Sequence, residues 1–581
     1  MMHDPGIAVF GATLAREAPL APAREALLAT VEGAAADPIR DDEVERARTS
    51  LLASLEKVLL DSGALVRWLA EFHAVGDWRL LYLYRDRLTA VTADDVRRVA
   101  AAYFKPANRV LGAFVPTGRP DRAEIPPRPA LEALLADYRG AQALEDGEAF
   151  DPTPENIERR VLRRTLANGI RAALLPKKTR GGRVVAQLVL HWGDEASTMH
   201  RHAACTLAGG MLARGTTRRT RAELRAEMDR LRATISVGMD GASIEVRRAQ
   251  LQPALALAAE MLRAPRFDPA EFEELKRATI TAAQAGRGDP AARASERLAR
   301  HLGPYPRGHW FYTPTVEERI EALSQATLED ARRCYAELLG ATGAQFAAVG
   351  DFDPEALAAQ VEALFGDWKT PHPYARIPAR YFDTPPLAER IATPDKANAV
   401  LRAGLNLRLS DAHPDYPALV LGNWLLGGNS DARLPVRVRE KEGLSYSTYS
   451  WLNAGQLDEA GQFGVAAIYA PQNRERVERA VREELARALA DGFDEAELAR
   501  AKRALLEARR VARAQDRALV ARLANYLFLG RTFEWDAAFE RRIAALGAED
   551  VRAALARHID PARLSVFVAG DFREPAGAAA R

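Results

Sequence analysis

Arg439 and Tyr446 are the pair of side chains whose types and setting most suggest chemistry. They lie in residues 425–450, LLGGNSDARLPVRVREKEGLSYSTYS. A guanidinium offers several donors in one plane and a phenol offers one, so together they can hold the carbonyls of an extended peptide. The flanking pattern predicts how they meet. Gly427 and Gly428 end an apolar helix over residues 416–426, since glycine is the usual residue just past a helix end. Ser430 or Asp431 is placed to cap the next helix, and Pro435 falls near its first turn, where a missing N–H costs least. Arg433, Arg437 and Arg439 ride on that helix, Gly443 ends it, and the alternating run 444–451 predicts a strand. Arg439 and Tyr446 then flank a tight helix-to-strand turn. The plain alternative is a surface arginine beside a half-buried core tyrosine.

Other reactive residues form no comparable group. His200 and His202 are expected on one helix, over residues 200–212, where their spacing turns them to different faces and away from a shared metal. His191, His301 and His309 are scattered. Cys205 falls on an apolar helix face and reads as core; with Cys334 it makes two cysteines, too few for a disulfide framework. Gly286-Arg287-Gly288-Asp289-Pro290 reads as a turn, because no strand precedes it as a phosphate loop requires. Asp351 and Asp571 follow closing strands and are expected to cap the next turn. The sequence holds no GxSxG, no Walker loop, no Cys/His zinc cluster and no HxxEH or HExxH.

The elements that must position the pair follow from length and repetition. A chain of 581 residues exceeds one hydrophobic core and implies two to four domains. With 48% hydrophobic and 28% charged residues the composition is that of an ordinary globular chain. The 81 basic and 79 acidic residues are interleaved on helices, so no basic block marks a nucleic-acid or membrane footprint. No apolar run approaches a membrane span, and residues 1–16 show no signal peptide. Three stretches share a helix, a turn and a closing strand: from Asp94, from Glu329 and from Glu549. RARTSLLASLE from Arg46 also aligns with RAKRALLEARR from Arg500. Carried to the first residue, that offset places Met1 level with Gly455, so the first unit lacks a counterpart of the Arg439/Tyr446 stretch. Strands are expected over residues 6–14, 109–115, 184–192, 345–349, 399–407, 463–469 and 565–569. An Asn168-Gly169 hairpin is expected too, since that dipeptide accepts positive φ. The resulting domains are 1–125, a truncated unit; 126–160, a linker; 161–375; and 376–581.

The RVREKEGLSYS stretch resembles the insulinase-like (pitrilysin/processing-peptidase type) zinc metallopeptidase family. The resemblance implies an α+β fold of repeated two-layer domains, each an antiparallel sheet packed with helices, arranged as part of a clamshell. It implies that Arg439 and Tyr446 hold substrate opposite a zinc. Active members carry HxxEH on a helix of the first domain, where two histidines share a zinc and the glutamate activates water. Here Thr206-Leu207-Ala208-Gly209-Gly210, followed by MLARGT, stands in the corresponding frame of the third domain. Thr206 and Gly210 replace the histidines and Gly209 the acid. Residues 279–288, near the expected third ligand, hold no acid. The glycine pair is therefore expected to serve close packing, and no metal or cofactor is expected in this chain.

Three functions follow from the resemblance. The first is a non-catalytic portion of a zinc metalloendopeptidase that binds peptide or unfolded protein and completes the site of a zinc-bearing partner or missing domain. The second is a structural assembly subunit with a peptidase-like fold. The third is the truncated reading frame of an ordinary zinc protease. As it stands the chain would be cytoplasmic, and a signal on a complete gene would make it periplasmic.

Overall fold

The computed structural model describes residues 7–14, 19–34, 39–113 and 145–572. Five helices come first: α1 (Leu20–Gly33), α2 (Asp41–Leu60), α3 (Ser62–Ala74), α4 (Leu80–Thr89) and α5 (Ala93–Tyr103). Asp61 separates α2 from α3 and caps the latter by accepting the Ala64 N–H. Thr92 and Asp95 form a reciprocal cap on α5. The strands expected over 6–14 and 109–115 are not formed in the parts described, residues 7–14 and 109–113. A strand needs a partner for its backbone groups, and among the described residues none precedes Leu162. α2, α3 and α4 share a small core of Leu55, Leu59, Leu65, Phe72 and Leu81. Trp68, Trp78, Tyr103 and Val110 stay exposed around it. Most of the expected linker, residues 126–144, lies outside the described residues; its end forms the helix Pro154–Arg160.

Two sheets follow. The first has β1 (Leu162–Thr165), β2 (Arg171–Pro176), β3 (Arg183–Val189), β4 (Thr234–Gly238), β5 (Gly241–Arg247) and β6 (Gln345–Gly350), in the order β1-β2-β6-β3-β5-β4. Asn168 (φ 61°) and Gly169 (φ 71°) make the expected turn between β1 and β2. The second has β7 (Ala388–Ala392), β8 (Ala399–Leu407), β9 (Ser445–Asn453), β10 (Gly461–Tyr469) and β11 (Ser565–Gly570), in the order β7-β11-β8-β10-β9. Each sheet is antiparallel except for one parallel pair, β2 with β6 and β7 with β11. Helices cover one face of each sheet with its main core. Two helices, Pro269–Ala285 and Pro290–Leu302, are parted by the short turn Gly286–Gly288, where the sequence predicted a turn. Two further helices, Glu495–Ala514 and Asp516–Leu529, adjoin at Gln515.

The second face of each sheet is covered by a helix from the other unit. Leu519, Val520, Leu523 and Ala524 of Asp516–Leu529 pack on Ala173, Leu175, Val185, Ala347 and Val349. Ala294, Leu298 and Leu302 of Pro290–Leu302 pack on Val400, Phe567 and Ala569. Central strands with both faces covered read as unbroken apolar runs rather than alternating ones; every residue of β6 is buried. The exchange makes the two sheets parts of one packed body, although their sequence segments are separate. A buried ion pair adds to one arm: Lys177 Nζ lies 2.6 Å from Asp516 and over the Phe150 ring.

Cys205 and Cys334 are both buried and joined by a disulfide, with Cα atoms 5.4 Å apart. Cys205 is in the core as expected, but the bond was not: the partners are 129 residues apart in sequence. It ties the helix His202–Met211 to the helix Leu328–Leu338.

Candidate functional site

The helix Tyr416–Leu426 ends at Gly427. Glycine is required there by close approach as well as by helix termination. A Cβ on Gly427 would meet Ser450 N at 2.6 Å. Ser450 N donates to Gly427 O, and Ser450 Oγ donates to Asn423 Oδ1 at 2.8 Å. The glycine pair thus seats the helix end against β9. The expected caps are not used: Ala432 holds the N-cap position without a side-chain bond, and Asp431 N instead donates to Asn429 Oδ1. One helical turn, Arg433–Pro435, carries Pro435 where the sequence placed it, and passes into a wider π-turn, Val436–Lys441. Glu442 N closes that turn on Arg437 O, and Leu444 N on Val438 O, with Gly443 at φ 60° between them.

The three arginines differ in surroundings. Arg433 grips Glu497 through two hydrogen bonds of 2.9 and 2.7 Å and lies over the Phe493 ring. Arg437 is held by Glu483, Glu442 and the buried Glu484. Those carboxylates, Glu483 first, push its guanidinium pKa above the ordinary arginine value. Arg439 is 47% exposed, and among the described residues its ion pair is with its chain neighbour Glu440, at 3.2 Å. Two arginines therefore fasten the turn, and the third projects from it.

β9 begins at Ser445 and is the edge of its sheet. Its register with β10 shifts at the start: Ser447 faces Ile468 but Ser445 faces Tyr469, leaving Tyr446 as the extra residue of a bulge. A bulge re-aims the side chain it carries. Ser445 Oγ pins it, 2.7 Å from Ile468 O, and Asn473 Nδ2 donates to Leu444 O at 3.1 Å. Further along, the Trp451 ring fills the space a Cβ on Gly464 would need, at 2.1 Å. Tyr446 is 85% exposed. A core role for it is excluded by that exposure.

Thr206, Gly209 and Gly210 lie on the helix His202–Met211. Thr206 is exposed and its hydroxyl donates to His202 O. A Cβ on Gly209 would meet Met239 N at 3.3 Å, and one on Gly210 would meet Leu275 Cδ2 at 2.7 Å. Leu275 belongs to Pro269–Ala285, the helix that would bear the third ligand. Packing by small residues is thus what the glycine pair serves, and these residues do not fit a zinc ion. Gly210→His is expected to lower stability by about 1–3 kcal/mol through overpacking. An unchanged urea midpoint would show that the helices have room after all.

Several readings change. His200 precedes the helix, at φ 62°, with its ring against Gly308; only His202 is helical, beside Trp310. Asp351 accepts from Arg248 and does not cap the turn after it; Asp571 accepts from Asp395 N, and the turn after it lies outside the described residues. Asp353 caps the following helix instead. The turn Gly286–Gly288 holds as a turn, and Asp289 caps the helix after it. Sequence reasoning missed Arg437 and Asn473 as fasteners of the turn. It also missed a second group. Among the described residues, His413, Asp415 and His558 alone form a cluster of three or more potential metal ligands. His413 and Asp415 flank Pro414, but His558 is far along the chain and only the fold brings it close.

Residues 325–505 match the family described as Peptidase M16 inactive domain. The chain is 29% identical over 266 residues to an uncharacterized zinc protease of Streptomyces coelicolor, a match covering 44% of this chain and 56% of that protein. The chain thus spans a little over half the length of that relative. Among solved structures, a peptidase M16 inactive domain from Pseudomonas fluorescens superposes with a TM-score of 0.61 at 23% identity, over 71% of this chain and 98% of that one. The periplasmic protease PqqL of Escherichia coli superposes with a TM-score of 0.60 at 17% identity, over 94% of this chain and 62% of that one. Both likenesses are of fold. Residues 325–505 thus match the inactive domain of the insulinase-like peptidase family, peptidase M16, the fold of the chain is similar to that of solved members, and the sequence holds no HxxEH.

Proposed function

We propose that this chain is the non-catalytic portion of an insulinase-like zinc metalloendopeptidase. It binds extended peptide and completes the active site of a zinc-bearing partner chain or domain. In this reading residues 161–375 and 376–581 are the two peptidase-like units, and residues 1–125 belong to a third. Arg439 donates to substrate carbonyls, and Tyr446 donates to the oxygen on which charge develops. The observation that carries the reading is the contrast along one turn. Arg433 and Arg437 are locked to carboxylates, while Arg439 projects beside a bulge that presents Tyr446 to solvent. A scaffold has no use for an exposed phenol held by so many fastenings. Zinc belongs to the partner in this account, because the helix His202–Met211 is packed too closely to hold it. No helix among the described residues is long and apolar enough to cross a membrane.

Binding of a fluorescent unstructured peptide tests the reading. Arg439→Ala removes a charged donor, a loss of about 1.5–3 kcal/mol, and is expected to weaken binding roughly tenfold or more with the circular dichroism spectrum unchanged. Equal affinity of the two proteins would remove Arg439 from the site.

A further inference from the structure

We infer that His413, Asp415 and His558 form a binding site for one divalent transition-metal ion of the zinc class, separate from the degenerate motif on the helix His202–Met211. Each residue offers one donor atom, and all three atoms lie within 4.8 Å of one another. Two imidazoles and a carboxylate are a borderline-soft donor set, suited to zinc, cobalt or nickel and poorly suited to magnesium or calcium.

The supports of the three residues are firm. His413 N donates to Ser410 O, and Tyr416 N donates to His413 O. Arg542 holds Pro414 O, fixing the segment between the first two ligands. His558 is the last residue of the helix Ala548–His558. That helix packs against Tyr416–Leu426 closely enough that a Cβ on Gly422 would meet Leu555 at 2.9 Å. The His413 and His558 rings sit 4.9 Å apart at 89°. Asp415 and His558 side chains are 19% and 15% exposed, so the group is sheltered yet reachable.

Without metal the same atoms satisfy one another. His558 Nε2 lies 2.9 Å from Asp415 Oδ2, and His413 Nδ1 accepts the Asp415 N–H at 3.1 Å. Arg557 makes two bonds to the Asp415 carboxylate, at 3.0 and 2.8 Å. Metal binding therefore asks for three exchanges. His558 gives up its bond to Asp415 and presents Nε2 to the ion as the neutral tautomer with its proton on Nδ1. The His413 lone pair turns from the amide to the ion. Arg557, 56% exposed, swings off the carboxylate into water. Zinc bonds of about 2.0–2.2 Å then draw the three donors together. The ion would clamp Tyr416–Leu426, the helix that runs into Gly427 and the Arg439 turn, onto Ala548–His558.

The competition from Arg557 gives the test its sign. Zinc chloride titrated calorimetrically into the full chain is expected to bind one ion per chain, and cobalt chloride to give visible absorption bands of a nitrogen-oxygen site. His413→Ala and His558→Ala should each abolish both signals, while His301→Ala, at an unrelated surface position, should change neither. Arg557→Gln removes an exposed charge pair of up to about 1 kcal/mol and should tighten zinc by roughly fivefold or less, which no loss of folding can imitate. Absence of zinc binding by the parent chain would overturn the site, as would cobalt bands that survive both histidine changes. Weaker binding by Arg557→Gln would overturn the exchange of arginine for metal.

Discussion

Tyr446→Phe is expected to lower kcat by roughly 100- to 1000-fold when this chain is assembled with a zinc-bearing polypeptide of the family, because one donor to a developing oxyanion is worth about that much. The loss should fall on kcat rather than KM, since the bond strengthens only as charge builds on the substrate oxygen. Stability should not change. Tyr446 is 85% exposed, and among the described residues its hydroxyl makes no hydrogen bond. The bulge that carries it is pinned instead by Ser445, Asn473 and the π-turn before Gly443. Steady-state kinetics and a urea titration on the same protein separate the outcomes. A normal kcat in an active assembly removes Tyr446 from the mechanism, and a shifted urea midpoint with normal turnover makes it structural.

The second large effect concerns the exchanged helices. Leu523 and Leu298 are each buried against the sheet of the opposite unit. Replacing either by alanine is expected to cost about 2–5 kcal/mol, the range for a buried leucine leaving a cavity. The informative readout is where the loss appears. Leu523→Ala, in the C-terminal unit's sequence, should speed amide exchange in β2, β3 and β6. Leu298→Ala, in the earlier unit's sequence, should speed it in β8 and β11. Protection lost only near each mutated residue's own sequence segment would contradict the exchange.

Much of the site was legible because it depends on local signals. The Gly427-Gly428 break, Pro435 in the first turn, Gly443 at the end and the alternation of β9 are all short-range patterns, and each has its element in the fold. What failed locally was the cap: Asn429 and Ala432 took positions that Ser430 and Asp431 had seemed to claim. The bulge at Tyr446 was not legible, because a one-residue register shift is set by β10, not by β9 alone. The Cys205–Cys334 bond, the exchanged helices and the grouping of His558 with His413 were invisible for one shared reason. Each joins residues far apart in sequence, and two cysteines or two histidines carry no spacing signature at that distance. The expected strands over 6–14 and 109–115 rested on apolar runs alone; with no partner strand described before Leu162, those runs remain irregular in the parts described.

The central claim is that this chain contributes side chains to catalysis but not the metal that drives it. Cleavage of an unstructured peptide, followed with this chain alone, with a zinc-bearing HxxEH polypeptide of the family alone, and with the two combined, tests it most directly. The expected result is chelator-sensitive cleavage in the combined sample, and none from this chain by itself with zinc supplied. Chelator-sensitive cleavage by this chain alone would contradict the account.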